Sequence, residues 1–132
     1  MRLFSLLTTV AVVAASALVC SELIIEIIHK VDCSRPTQEG DTLKIHYLGT
    51  FTNGTAFDSS FGGEPLQFTL GAMKVIKGFD QGARNMCPGE IRKVTIPPDL
   101  GYGDKQKGPI PPNSTLIFYT KLVDIVGVPK EE

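Results

Sequence analysis

Few residues in this chain carry ready-made chemistry. Asp58-Ser59-Ser60 resembles one half of an aspartic dyad. Such a site needs two carboxylates sharing a proton, and no second segment of this kind occurs. His29 and His46 fall in stretches that read as strands, without a partner motif. They are expected to be solvated or hydrogen-bonded strand residues rather than catalysts. There is no G-x-S-x-G elbow, no G-x-x-x-x-G-K phosphate loop and no H-E-x-x-H zinc motif. Cys20, Cys33 and Cys87 lack C-x-x-C spacing, so neither a zinc site nor a thioredoxin-type redox site is supported. What remains is a set of aromatic and aliphatic residues beside turns. Phe57-Asp58 follows an Asn-Gly pair, Val75-Ile76-Lys77-Gly78-Phe79 opens a helical pattern, and Leu100-Gly101-Tyr102-Gly103 lies in a long loop. Taken one at a time, these are core residues and turn glycines.

The elements that must position them read as one α+β domain. The chain has 132 residues, a formal charge of −1, 13 glycines and nine prolines. That length suits a single core. So many turn formers favour strands over a helical bundle. No basic surplus exists to drive nucleic-acid binding. Leu23 to His29, Thr42 to Phe51, Ala56 to Ser59, Leu66 to Leu70, Ile91 to Ile96 and Thr115 to Val126 read as strands. In the second of these, Leu43, Ile45 and Tyr47 share one face by period two. Gly49 then marks a bulge or a close backbone approach, and Asn53-Gly54 marks a hairpin. Ile76, Phe79, Ala83 and Met86 share one face of a short helix over Val75 to Met86. Gly78 and Gly82 weaken that helix, so tertiary packing must hold it. The expected fold is an antiparallel sheet of about five strands with one short helix packed on it.

The N-terminus reads as an address. Met1-Arg2 is followed by an apolar run from Leu3 to Val19 and then by Ser21-Glu22. Residues 1–20 are expected to be a secretory signal peptide, cleaved after Ala17 or Cys20, with residues 21–132 as the mature domain. A membrane anchor is the alternative reading; stable membrane insertion is not expected. In an oxidising compartment, Cys33 and Cys87 are most simply a disulfide, the alternative being two free buried thiols. The bridge would enclose 53 residues. Its chain-entropy contribution would be about 4 kcal/mol.

The segments above occur in an order that resembles the FKBP family, from about Leu23 to Val126. The carrying motifs are Ile45-His46-Tyr47-Leu48-Gly49, Phe57-Asp58-Ser59-Ser60 and Val75-Ile76-Lys77-Gly78-Phe79-Asp80-Gln81-Gly82. Ile96-Pro97-Pro98-Asp99-Leu100-Gly101-Tyr102-Gly103, Ile110-Pro111-Pro112 and Thr115-Leu116-Ile117-Phe118 complete them. Cys33 and Cys87 are similar in position to a bridged pair in the luminal branch of that family. The resemblance implies peptidyl-prolyl cis-trans isomerase activity during folding of secretory-pathway proteins. The alternative is a binding module or chaperone that uses the same hydrophobic pocket without useful catalysis.

Carried over motif by motif, the resemblance implies that Phe79 floors a proline pocket walled by Tyr47, Phe57, Val75, Ile76 and Phe118. It implies that the Ile76 N–H and the Tyr102 hydroxyl donate to substrate carbonyls, and that Asp58 orients Tyr47. Leu66 and Ile110 complete the surface for substrate or macrolide. Two departures from the family stand out: Phe79 replaces a commoner Trp, and Leu66 a commoner aromatic. The loop between Tyr102 and Ile110 has its own sequence. Proline-containing polypeptides are the expected partners, with macrolides such as tacrolimus and rapamycin as expected ligands. No nucleic acid, metal or cofactor is expected, and the protein is expected to be a monomer. Asn53 and Asn113 head N-x-S/T sequons and are glycosylation candidates. Val128-Pro129-Lys130-Glu131-Glu132 is not a K-D-E-L or H-D-E-L signal, so secretion and endoplasmic-reticulum residence both stay open.

Overall fold

A computed structural model describes residues 22–130. The expected signal segment and Cys20 lie outside the described residues. Six strands form one antiparallel sheet: β1 (Ile24–His29), β2 (Thr42–Thr50), β3 (Ala56–Ser59), β4 (Leu66–Thr69), β5 (Ile91–Ile96) and β6 (Leu116–Ile125). The order is β1-β5-β6-β2-β3, and β4 also pairs with β2. Both β3 and β4 are short, and they use different stretches of β2: β4 pairs with Thr42 to Ile45, β3 with Leu48 to Thr50. Each of the six stretches that read as strands from the sequence forms one of these strands, in a sheet of the expected antiparallel kind. Among the described residues no helix is long and apolar enough to cross a membrane.

The α-helix among the described residues, α1 (Lys77–Gln81), is much shorter than the apolar spacing predicts. Its continuation to Met86 is a run of turns, with Asn85 at φ 58°. The glycines responsible for the weak helix also let it sit close to β5. A Cβ on Gly78 would lie 2.5 Å from Ile96, and one on Gly82 would lie 2.8 Å from Val94. Local propensity is thus given up for closeness of approach.

Period two sorts the sheet into an inner and an outer face. Leu43 and Ile45 of β2, Val94 and Ile96 of β5, and Leu116, Phe118 and Leu122 of β6 are buried on the inner face. Phe79, Ala83 and Met86 close the core from the helical side. Arg92 shares the inner face of β5, where alternation calls for an apolar residue, and is only 5% exposed. Its guanidinium donates to Glu90 Oε2 at 2.8 Å and to the carbonyls of Gly82, Arg84 and Asn85 at 2.8–3.0 Å. A buried charge is tolerable only with such complete pairing. Here the pairing also satisfies carbonyls left open where the helix ends.

The loop between β1 and β2 is stitched to the same region. Buried Thr37 donates from Oγ1 to the Ala83 carbonyl at 2.6 Å and accepts from the Met86 N–H at 3.0 Å. Cys33 and Cys87 form a disulfide with Cα atoms 5.8 Å apart, which decides between bridge and free thiols. The end of the helical segment is therefore held by a covalent link, a buried arginine and a buried threonine.

Candidate functional site

The site begins with β2, whose inner face runs from the core outwards to Tyr47. Tyr47 is fixed from both sides of its own backbone. Its N–H donates to Ser60 Oγ at 2.8 Å, and its carbonyl accepts from the Ser60 N–H at 2.9 Å. With that oxygen accepting, the Ser60 hydroxyl proton is free to bond His46 Nδ1, 2.8 Å away. His46 stacks on Phe61 with ring centroids 4.9 Å apart and lines no part of the cavity described below. His29 lies on exposed β1. Ser60, one of the residues of the half-dyad motif, thus serves as a backbone clamp.

The Asn-Gly hairpin then turns the chain into β3. The Phe51 N–H donates to the Thr55 carbonyl at 2.9 Å, and Gly54 has φ 91°. This brings Phe57 and Asp58 back beside β2, with Gly49 opposite Asp58. The register of the pair shifts at Gly49. A Cβ there would lie 2.7 Å from the Phe57 ring and 3.0 Å from the Phe118 ring. Gly49 is therefore both a bulge and a close approach, and it makes room for two walls of the site.

Those walls enclose a cavity of about 380 Å³. Tyr47, Phe57, Asp58, Leu66, Val75, Ile76, Phe79, Tyr102, Ile110 and Phe118 all line it, so the structure brings together all ten pocket residues named from the sequence. Phe79 is 4% exposed and anchors an edge-to-face aromatic set. Its ring centroid lies 5.2 Å from that of Phe118, 5.7 Å from Phe68 and 5.8 Å from Tyr47. Phe57 meets Phe118 at 5.6 Å and an interplanar angle of 89°. Edge-to-face rings at these distances hold one another in register as well as burying area.

Polar groups are sparse and mostly committed. The Tyr47 hydroxyl donates to Asp58 Oδ2 at 2.7 Å, and the Ser59 N–H donates to Asp58 Oδ1 at 2.8 Å. Burial, then the bond to Asp58, pushes the Tyr47 phenol up to about 12. Burial, then the nearby Asp58 charge, also raises Tyr102. Unlike Tyr47, the Tyr102 hydroxyl has no hydrogen-bond partner among the described residues. Nor has the N–H of Ile76, which stands at the N-cap of α1. The lining thus offers an apolar floor and two donors with unused capacity. It holds no serine, threonine, cysteine or histidine.

A loop over one side completes the site. The Lys107 and Ile110 backbones exchange two hydrogen bonds of 2.9 Å, and the Asn113 N–H donates to the Gly103 carbonyl at 2.7 Å. The first closes the tip of the loop and the second closes its base. Sequence reasoning missed four lining residues: Lys74, Lys107, Gly108 and Pro109. The available signal was position alone, since Lys74 adjoins the Val75-Ile76 motif and the others fall in the loop that departs from the family.

Comparison with known proteins agrees with this architecture. Residues 33–123 match the family described as "FKBP-type peptidyl-prolyl cis-trans isomerase". The chain is 49% identical over 130 residues to "FK506-binding protein 2" of Emericella nidulans, covering 96% of each chain. It is 50% identical over 102 residues to a peptidyl-prolyl cis-trans isomerase of Arabidopsis thaliana, covering 76% of this chain and 67% of that one. Among solved structures it is similar to FkpA from Escherichia coli, with a TM-score of 0.69 and 38% identity, across 78% of this chain and 47% of that longer one. Matched over most of its length by motif, fold and relatives, the chain belongs to the FKBP-type peptidyl-prolyl cis-trans isomerase family.

Proposed function

We propose that the aromatic cavity is where this isomerase accelerates rotation about X-Pro bonds of secretory-pathway polypeptides. The barrier is amide resonance, about 18–20 kcal/mol. A twisted amide has lost that resonance, so its carbonyl is less polar and its nitrogen less conjugated than in the planar form. A dry surface that fits the twisted form better lowers the barrier by differential binding, with no covalent step. The observation that carries this reading is the lining itself: rings packed edge to face, no serine, threonine, cysteine or histidine, and two donors with unused capacity.

In this reading Phe79 floors the prolyl ring, and Tyr47, Phe57, Leu66, Val75, Ile76, Ile110 and Phe118 surround it. The Ile76 N–H and the Tyr102 hydroxyl donate to substrate carbonyls. Asp58 holds Tyr47 in place, and that bond consumes the Tyr47 proton, which leaves Tyr102 as the free phenol. The same cavity takes macrolides, a reading supported by the name of the Emericella relative. An oxidising secretory compartment is supported by the Cys33–Cys87 bond. The sequon residues Asn53 and Asn113 are both exposed, as glycosylation requires.

A protease-free peptide isomerisation assay, run with and without rapamycin, tests the proposal. Isomerisation is expected, and rapamycin is expected to abolish it. Phe79→Ala is expected to lose most of the activity and about 3–5 kcal/mol of stability. A wild-type protein without activity in this assay, still able to hold unfolded chains through the pocket, would favour the chaperone reading.

A further inference from the structure

Val75 and Ile76 reach the cavity from a loop that has little of its own to hold it. Within that loop, Met73, Lys74 and Val75 form no backbone hydrogen bond among the described residues. Met73 is 75% exposed and sits at φ 59°, a left-handed conformation uncommon for any residue but glycine. Backbone in that state keeps its shape only where its surroundings fix it. One residue does so at both ends of the loop. The Asp80 carboxylate accepts from the Gly71 N–H at 2.8 Å, and the Asp80 N–H donates to the Ile76 carbonyl at 3.1 Å. Asp80 is buried and lines no part of the cavity. Its second oxygen accepts from Arg84 at 2.8 Å. Arg84 in turn bonds Glu39, whose carboxylate lies against the place that a Cβ on Gly71 would occupy. The carboxylate is thus held from one side and grips the loop with the other.

We propose that Asp80 is a positioning residue for the prolyl substrate: by tying Gly71 to α1 it holds Val75 and the Ile76 N–H where the substrate meets them. The inference rests on the isomerase reading and adds a residue to it. A hydrogen bond to a charged group is worth about tenfold or more. Without this one, the substrate must order the loop itself, in the ground state and the transition state alike. Such a loss raises KM and leaves kcat nearly unchanged.

The test compares two variants. Asp80→Asn keeps the size of the side chain but has one acceptor oxygen for two donors, so it can serve Gly71 or Arg84 and not both. Thr37→Val removes the two buried hydrogen bonds to Ala83 and Met86, at the other end of the helical segment. Both are expected to lower the urea midpoint. Only Asp80→Asn is expected to raise KM for a prolyl tetrapeptide, by about tenfold, with kcat changed less than about twofold. An unchanged KM in Asp80→Asn, or an equal rise in Thr37→Val, overturns the inference. Amide hydrogen exchange of the wild-type protein gives an answer that does not depend on how a variant folds. Gly71 lies outside the cavity lining. With its bond required for binding, the tetrapeptide at ten times KM is expected to slow exchange of the Gly71 amide about tenfold. The Val128 amide, in the turn after β6, is expected to keep its rate. A Gly71 amide slowed no more than that of Val128 overturns this inference alone. Turnover of no peptide by the wild-type protein overturns the isomerase reading and the inference with it.

Discussion

The phenols of the site behave as neutral hydrogen-bonding groups, not as bases. Tyr47 is pushed up to about 12 from 10.0, chiefly by burial and then by its bond to Asp58. A raised pKa means that the folded protein holds the proton more tightly than the unfolded chain. The stability it contributes is whole below pH 10.0 and is lost as pH climbs through about 12. Asp58→Asn removes the charge but leaves the burial. The Tyr47 midpoint, followed by the ultraviolet difference absorbance of phenolate, is expected to fall while staying above 10.0. For the same reason neither Tyr47 nor Tyr102 is expected to produce an inflection in the pH profile of kcat/KM at neutral pH. An inflection there that Tyr102→Phe removes would mean that the phenol titrates during turnover.

At the scale of the element, α1 reverses the usual advice about glycine. Alanine is worth about 1 kcal/mol more than glycine inside an exposed helix. Gly78→Ala is expected to go the other way, because its Cβ would lie 2.5 Å from Ile96. Overpacking of this kind costs about 1–3 kcal/mol, readable as a lower urea midpoint. Because Ile76 and Phe79 ride on the same short helix, activity should fall as well. This contact also explains why the sequence was legible in some places and not in others. Period two located β2, and the ordered motifs located nine of the cavity residues, since both signals are local or inherited in order. The helix ended early because Gly78 and Gly82 answer to β5, more than ten residues away, which no window of local spacing can register. Arg92 makes sense only once Glu90 and three carbonyls surround it. Lys74 and Lys107 are isolated lysines, and an isolated lysine carries no pattern.

For the whole molecule, the disulfide links the loop after β1 to the end of the helical segment, across a sequence separation of 54. Opening so long a loop in the unfolded chain is worth about 4 kcal/mol. Reduction, or Cys33→Ala with Cys87→Ala, is expected to lower the thermal midpoint, whereas an unchanged midpoint would show that the bridge is redundant with Arg92 and Thr37. The sheet order has a consequence of a different kind. Strand β6 lies between β5 and β2 and supplies Phe118 to the cavity, so the site is unfinished until β6, the last of the described strands, has docked. A newly made copy cannot serve its own nine prolines as it folds. A finished copy can, because an unfolded sibling is simply another proline-containing polypeptide. Refolding should then be autocatalytic: slow at first, quickening as native molecules accumulate, and faster at higher protein concentration. The enzyme's earliest client would be itself.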